Sequence, residues 1–312
     1  MSTRLEGIFA AAVTPVNGEG EISDERFAVH CRWLLHNGCH GVVVFGTTGE
    51  APSFSVAERQ RALENLLASG IAPERVILGI GCCARADTVA LARHGLELGV
   101  RRFLVMPPFF FKEVSEEGVI RSYLELADGL AGRPAELLLY HFPQMSAVPI
   151  THGVIARLLE SCPGVIRGIK DSSGDRQHTL ELIRAFPSLA VFSGDDKALL
   201  ACIERGGAGI ITAGANLTCA ESREAFDRFR EGDLEAASKA MARVEAVREI
   251  LEAHPMIAAI KRTIADAMRD PEWSQLRPPL LPLDEERAQR LARALEAVDY
   301  AYEPEAFIAA SA

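Results

Sequence analysis

Val165-Ile166-Arg167-Gly168-Ile169 runs directly into Lys170-Asp171-Ser172-Ser173-Gly174, then into a periodic stretch over residues 178–186 and a second apolar run over 189–192. A β-rich segment, a polar turn, a helical segment and another β-rich segment make a βαβ unit. The same alternation extends outward in both directions. Apolar runs recur at residues 7–13, 41–45, 76–80, 103–106 and 136–140 before it and at 209–212 after it. Helical patterns between them include 24–36, 56–68, 87–98 and 116–130, several opened by Ser, Thr or Asp and closed by Gly or Pro. Eight uninterrupted units predict an α/β fold of the (β/α)8 TIM-barrel type rather than a doubly wound open sheet. From about Asp233 no strand signal remains, and residues 235–252, 256–268 and 285–298 read as helices. The expected organisation is a barrel catalytic domain over 1–232 with a C-terminal α-helical segment, 233–312, packed on it.

Composition narrows the function classes. The 312-residue chain carries a formal charge of −10, with its basic residues spread out, which argues against a nucleic-acid groove. A small anionic substrate is not excluded, because backbone amides and hydroxyls can hold it locally. Residues 1–7 hold no apolar stretch behind a basic one, and no later run reaches about 18 uncharged apolar residues. The expectation is a soluble, cytoplasmic protein with no membrane partner. Seven cysteines without a Cys-x-x-Cys spacing fit reduced thiols, and the vicinal pair Cys82-Cys83 reads as packing at a strand end. Eight histidines, of which only His36 and His40 stand four apart, across Asn37-Gly38, and none of which lies in a His-Glu-x-x-His pattern, give no support to a zinc site, and nothing calls for an organic cofactor.

In a barrel the chemistry sits at the carboxyl ends of the strands, and the polar exceptions to the apolar pattern fall there. Lys170 is one of only five lysines. Apolar surroundings disfavour an ammonium ion and move a lysine from about 10.4 toward the 7–8 of a nucleophilic amine. The competing reading is a strand-end lysine paired with Asp171 or reaching solvent. After the second strand, Gly46-Thr47-Thr48-Gly49-Glu50 offers two hydroxyls and turn amides as a carboxylate cradle, though Gly and Thr also serve ordinary turns. After the fifth comes Tyr140-His141-Phe142-Pro143. Strand alternation points Tyr140 and Phe142 to one side and His141 to the other. A phenol at the barrel mouth could shuttle protons beside Lys170. After the seventh, Ser193-Gly194-Asp195-Asp196 supplies carboxylates for substrate hydroxyls or for capping the next helix. Gly206-Gly207-Ala208-Gly209 precedes the eighth strand and reads as a tight turn at the far end of the barrel.

These positions together resemble the dihydrodipicolinate synthase / N-acetylneuraminate lyase family. The resemblance runs through Gly46-Thr47-Thr48-Gly49-Glu50, Tyr140 with Pro143, Gly168-Ile169-Lys170-Asp171, Ser193-Gly194-Asp195-Asp196 and Gly206-Gly207-Ala208-Gly209-Ile210-Ile211. It implies a (β/α)8 barrel with a C-terminal helical segment, assembled as a homotetramer, a dimer of dimers. It implies Lys170 as the Schiff-base residue and Tyr140 as the proton-transfer phenol. Thr47 and Thr48, with Gly46, would hold the carboxylate of pyruvate or a related 2-keto acid, Thr47 belonging to the catalytic set as well. Gly194, Asp195 and Ile211 would line the site near the substrate chain.

Departures from the synthase pattern discriminate further. Synthases carry an arginine two residues after the proline, where this chain has Met145, and a second tyrosine in the loop after the fourth strand, where it reads Pro107-Pro108-Phe109-Phe110-Phe111-Lys112. His141 replaces the usual Asn. The resemblance therefore implies a lyase of the aldolase or dehydratase branch, acting on a 2-keto-3-deoxy-type acid, with 4-hydroxy-tetrahydrodipicolinate synthase as the alternative. Two readings from other classes stay open: a metal-dependent barrel lyase using strand-end carboxylates such as Asp171, Asp195 and Asp196, and a non-catalytic keto-acid-binding barrel.

Overall fold

The computed structural model describes residues 5–303, so residues 1–4 and the end of the C-terminal segment, 304–312, lie outside the described residues. Eight parallel strands close on one another in sequence order. They are β1 Gly7–Ala11, β2 Gly41–Val44, β3 Val76–Gly79, β4 Arg102–Val105, β5 Glu136–His141, β6 Ile166–Asp171, β7 Ala190–Ser193 and β8 Gly209–Thr212. The connecting helices are α1 Asp24–His36, α2 Val56–Ala68, α3 Arg85–Glu97, α4 Glu116–Gly129, the short α5 Pro143–Ser146, α6 His152–Ser161, α7 Arg176–Ala185 and α8 Leu199–Glu204. After β8 follow α9 Ala215–Glu231, α10 Leu234–Glu252, α11 Met256–Met268 and α12 Glu285–Glu296. The chain is a TIM barrel with additional C-terminal helices.

The strands read as continuous apolar runs because both faces are covered. Phe9, Val43, Ile77, Leu104, Leu138 and Phe192 fill the barrel interior, with Phe9 and Phe192 edge to face at 5.5 Å. Their neighbours Val42, Val44, Leu78, Phe103 and Leu139 face outward into the layer under the helices. Helix starts are capped as their sequences suggest. Ser55 and Glu58 form a reciprocal capping box on α2, and Ser115, Thr151, Asp175, Asp233 and Asp284 each accept a first-turn N–H.

Most strand bounds fall within one residue of the sequence reading, and two strands, β1 and β6, end two residues away from it. β1 stops at Ala11: Ala12 N–H still reaches Val43 O at 3.0 Å, but Val13 N–H turns to the side chain of Asn216 at 3.1 Å. β6 runs past Ile169 to Asp171, so Lys170 lies within the ladder, paired in register with Tyr140 on β5 and Phe192 on β7. The turn at Gly206, with φ +87°, connects α8 to β8 at the amino end of the strand. In the C-terminal part α10 packs along α9, and α11 and α12 pack on α10. Among the described residues no helix is long and apolar enough to cross a membrane.

Candidate active site

Lys170 stands inside the barrel, 5% exposed, among side chains of the inner core. Its Nζ donates to the Tyr140 hydroxyl at 3.2 Å and lies 4.3 Å from the centre of that ring. Thr47 Oγ1 is 3.3 Å from the same hydroxyl. Amine, phenol and threonine thus form one hydrogen-bonded row across the ends of β6, β5 and the loop after β2. Lys170 does not pair with Asp171, which faces away from the barrel interior.

The threonine loop is shaped by backbone constraints on both sides. Phe45 and Glu50 bracket it in the left-handed region, each at φ 55°. Inside it, Glu50 N–H donates to Thr47 O at 3.0 Å and Ala51 N–H to Gly46 O at 3.2 Å, while Thr14 Oγ1 holds Gly49 O at 2.8 Å. Gly79 on β3 permits the close approach: a Cβ there would lie 2.1 Å from Phe45 O. Glu50 turns inward to Lys261 of α11 and to the Arg277 N–H at 3.3 Å, and Lys261 donates a second bond to Gln275 O at 2.9 Å. Burial lowers the Lys261 pKa, and Glu50 opposes that shift.

At β7 the backbone again sets the site. Gly194 N–H donates to Asp171 O at 2.7 Å, and a Cβ on Gly194 would fall 2.1 Å from Ser172 Oγ. Asp195 accepts from Lys197 N–H at 3.1 Å, so it caps the following turn while also facing the cavity. Asp196 is a different kind of residue from its neighbour. It is fully buried, accepts from Thr212 Oγ1 at 2.5 Å and pairs with Arg248 of α10 at 2.7 Å. Burial raises the Asp196 pKa, while Arg248 and Thr212 pull the other way.

These groups form the floor of a cavity of about 1010 Å³ between the barrel mouth and the C-terminal helices. Thr47, Thr48, Tyr140, Lys170, Gly194 and Asp195 line it. Ile211 lies below, in the closed inner core, and Ala213 takes the wall position above it. Gly46 acts through its carbonyl in the turn. The phenylalanines after β4 stand away from this wall: Phe110 and Phe111 are 72% and 71% exposed and pack edge to face on each other. Met145 does line the cavity. The far wall comes from Met256, at the start of α11, and from residues 276–284, which carry no periodic signal in the sequence. Cys82 packs beside Arg59, whose guanidinium donates to it at 3.3 Å, but Cys83 is exposed rather than packed.

Behind the strands, His141, Asp171 and His178 converge to within 4.8 Å although no sequence spacing announces them. Hydrogen bonds account for the grouping. Ile150 N–H donates to His141 Nδ1 at 3.0 Å, and Asp171 Oδ2 meets His178 Nδ1 at 3.0 Å and Thr179 Oγ1 at 2.7 Å. The His141 and His178 rings stack at 4.8 Å. This cluster braces the strand ends that carry Tyr140 and Lys170 from the side opposite the cavity.

Residues 4–298 match the Dihydrodipicolinate synthetase family, and the chain belongs to that family of lyases. A curated relative from Chloroflexus aurantiacus, described as an uncharacterized DapA-like lyase, is 40% identical over 293 residues, covering 94% of this chain and 96% of the relative. The crystal structure of dihydrodipicolinate synthase from Agrobacterium tumefaciens superposes with a TM-score of 0.85 at 30% identity, over 94% of this chain and 99% of that one. The 2-keto-3-deoxygluconate aldolase of Sulfolobus solfataricus shares the fold at 22% identity, with a TM-score of 0.84 over 94% of this chain and 96% of that one.

Proposed function

We propose that this chain is a Schiff-base-forming lyase that makes or breaks the carbon–carbon bond of a 2-keto-3-deoxy-type acid. The row Lys170 Nζ, Tyr140 OH, Thr47 Oγ1 at the floor of a deep cavity carries the reading. The Lys170 amine attacks the keto carbon, and the carbinol hydroxyl leaves as water with the Tyr140 proton, so that a cationic iminium beside the phenolate serves as an electron sink for the neighbouring carbon. In cleavage, the substrate hydroxyl gives its proton to Tyr140, the carbon–carbon bond breaks, and its electron pair enters the iminium as an enamine. An aldehyde leaves. Protonation of the enamine and hydrolysis return pyruvate and free Lys170. Thr47 and Thr48 hold the carboxylate, and Thr47 keeps Tyr140 aligned. Loss of a β-hydroxyl as water would use the same residues.

The likeness to the Agrobacterium synthase favours a second reading, 4-hydroxy-tetrahydrodipicolinate synthase. Met145 weighs against it, since it offers no charge to the carboxylate of a condensing partner. A homotetramer in the cytoplasm, acting without metal or organic cofactor, completes the proposal. The test is incubation with pyruvate and borohydride, then peptide mass spectrometry. A reduced adduct on Lys170 is expected, and an adduct on another lysine, or none where pyruvate binds, would refute the mechanism. A panel of 2-keto-3-deoxy acids, assayed for pyruvate release and separately for water loss, distinguishes aldolase from dehydratase.

A further inference from the structure

The cavity is larger than a three-carbon acid needs, at about 1010 Å³, the upper end of the range for small-molecule sites. What lies above the reacting floor therefore reports on the other half of the substrate. The charges there neutralise one another. Lys197 pairs with Glu252 at 2.8 Å, and Arg248 bridges Glu252 at 2.9 Å and Asp196 at 2.7 Å. Arg287 at the rim sits 3.5 Å from Asp284. Apart from Ser172 and Asp195 beside the reacting floor, the rest of the wall is mostly apolar, with Phe142, Met145, Met256, Leu276, Leu280 and Leu281. Met145, Leu280 and Leu281 are 58%, 37% and 70% exposed, so this apolar wall opens on solvent at the cavity mouth.

Beyond Ser172 and Asp195 beside the floor, a chain of hydroxyls laid along this wall would lose water without gaining partners, because Lys197, Arg248, Glu252, Asp284 and Arg287 already bond one another or Asp196. An apolar body would cover the exposed methionine and leucine and displace water from them. We infer that the aldehyde partner of the reaction carries an apolar body, aromatic or extended alkyl, beyond its carbonyl carbon. This rests on the Schiff-base reading of Lys170. In the condensing direction the pyruvate enamine forms a carbon–carbon bond to the aldehyde carbon, and the aldehyde oxygen takes a proton from Tyr140. Hydrolysis of the iminium then releases a 4-hydroxy-2-oxo acid with an apolar tail.

The experiment separates the two layers of the argument. Borohydride trapping with pyruvate on the intact enzyme reads the amine chemistry, and without a Lys170 adduct both the lyase reading and this inference fall. With the adduct present, condensation of pyruvate is measured with acetaldehyde, hexanal, benzaldehyde, glyceraldehyde and aspartate semialdehyde. Benzaldehyde or hexanal is expected to exceed glyceraldehyde and acetaldehyde in kcat/KM by at least about tenfold, the effect of a few buried carbons. A preference for glyceraldehyde or the semialdehyde, or no consumption of any aldehyde, overturns the inference while leaving the amine chemistry in place. Leu281→Glu, at an exposed position that folding does not need, is expected to lower kcat/KM for hexanal and benzaldehyde about fivefold and for acetaldehyde much less. An equal loss for all three would also overturn it.

Discussion

Lys261 on α11 donates to the carboxylate of Glu50, the last residue of the Thr47–Thr48 loop, and neither side chain has any solvent exposure. The pair joins the substrate-facing loop of the barrel to a helix 211 residues further along the chain. Removing one partner of a buried pair leaves an uncompensated charge and typically costs about 3–5 kcal/mol. Lys261→Met should therefore lower Tm by on the order of 10 °C, read by calorimetry or circular dichroism. The Glu50→Gln/Lys261→Met double variant should recover part of that loss, because no unpaired charge remains. An unchanged Tm in the single variant would remove the pair from this role.

Tyr140 is the only phenol touching both Lys170 and Thr47 among the described residues. As the proton carrier of the proposed cycle, its loss should act on turnover more than on binding. Tyr140→Phe is expected to reduce kcat by about 10²–10⁴, the span typical of general acid–base groups, with a smaller change in pyruvate binding. Pre-steady-state and steady-state assays of pyruvate release check it. A variant with undiminished kcat would exclude the phenol from proton transfer.

The barrel and its polar strand ends were legible because each signal is local. Strands covered on both faces give short apolar runs, and a lysine or tyrosine at the end of such a run stands out. Lys170 carries its strand further than the apolar pattern suggests, in register with Tyr140, to which its amine is bonded inside the barrel. What could not be read was contact across long separations. Glu50 looks like the last residue of a turn until Lys261 is placed beside it. Asp195 and Asp196 are adjacent, yet one faces the cavity and the other is buried against Arg248. The wall from residues 276–284 is a proline-rich coil without periodicity, and only its position over the barrel mouth gives it meaning.

The Asp171–His178 contact predicts a pH-dependent contribution to stability. The hydrogen bond to Asp171 raises His178 above 6.5. Burial would raise Asp171, but the bonds from His178 and Thr179 outweigh it and hold the carboxyl below 3.8. A raised histidine contributes stability that is full below its unfolded pKa and disappears as pH rises through the folded one. A depressed carboxylate contributes above its unfolded pKa and loses that contribution as pH falls. The window for the pair lies between 3.8 and the raised value of His178. His178→Gln should therefore lower Tm more near pH 5.5 than near pH 9, in about the manner linkage requires. A Tm difference independent of pH would mean that the contact is steric packing alone.

Met145 decides between the two condensing partners considered for this fold. It stands two residues after Pro143 on the short helix α5, lines the cavity and is 58% exposed, so a longer charged side chain fits there without disturbing the core. The carboxylate of aspartate semialdehyde directed at Met145 would give up water without a cation to meet it. Truncating one partner of a desolvated charge pair typically costs about 2–5 kcal/mol, or roughly 30-fold to several-thousand-fold in affinity. Part of that penalty is reduced here because the position is open to solvent, so the lower end applies. Met145→Arg should raise kcat/KM for the semialdehyde by at least about tenfold and lower it for apolar aldehydes. Steady-state condensation assays on the wild type and the variant check both directions. If the wild type already prefers the semialdehyde by an order of magnitude, the synthase reading wins, and a cation other than residue 145 must serve its carboxylate.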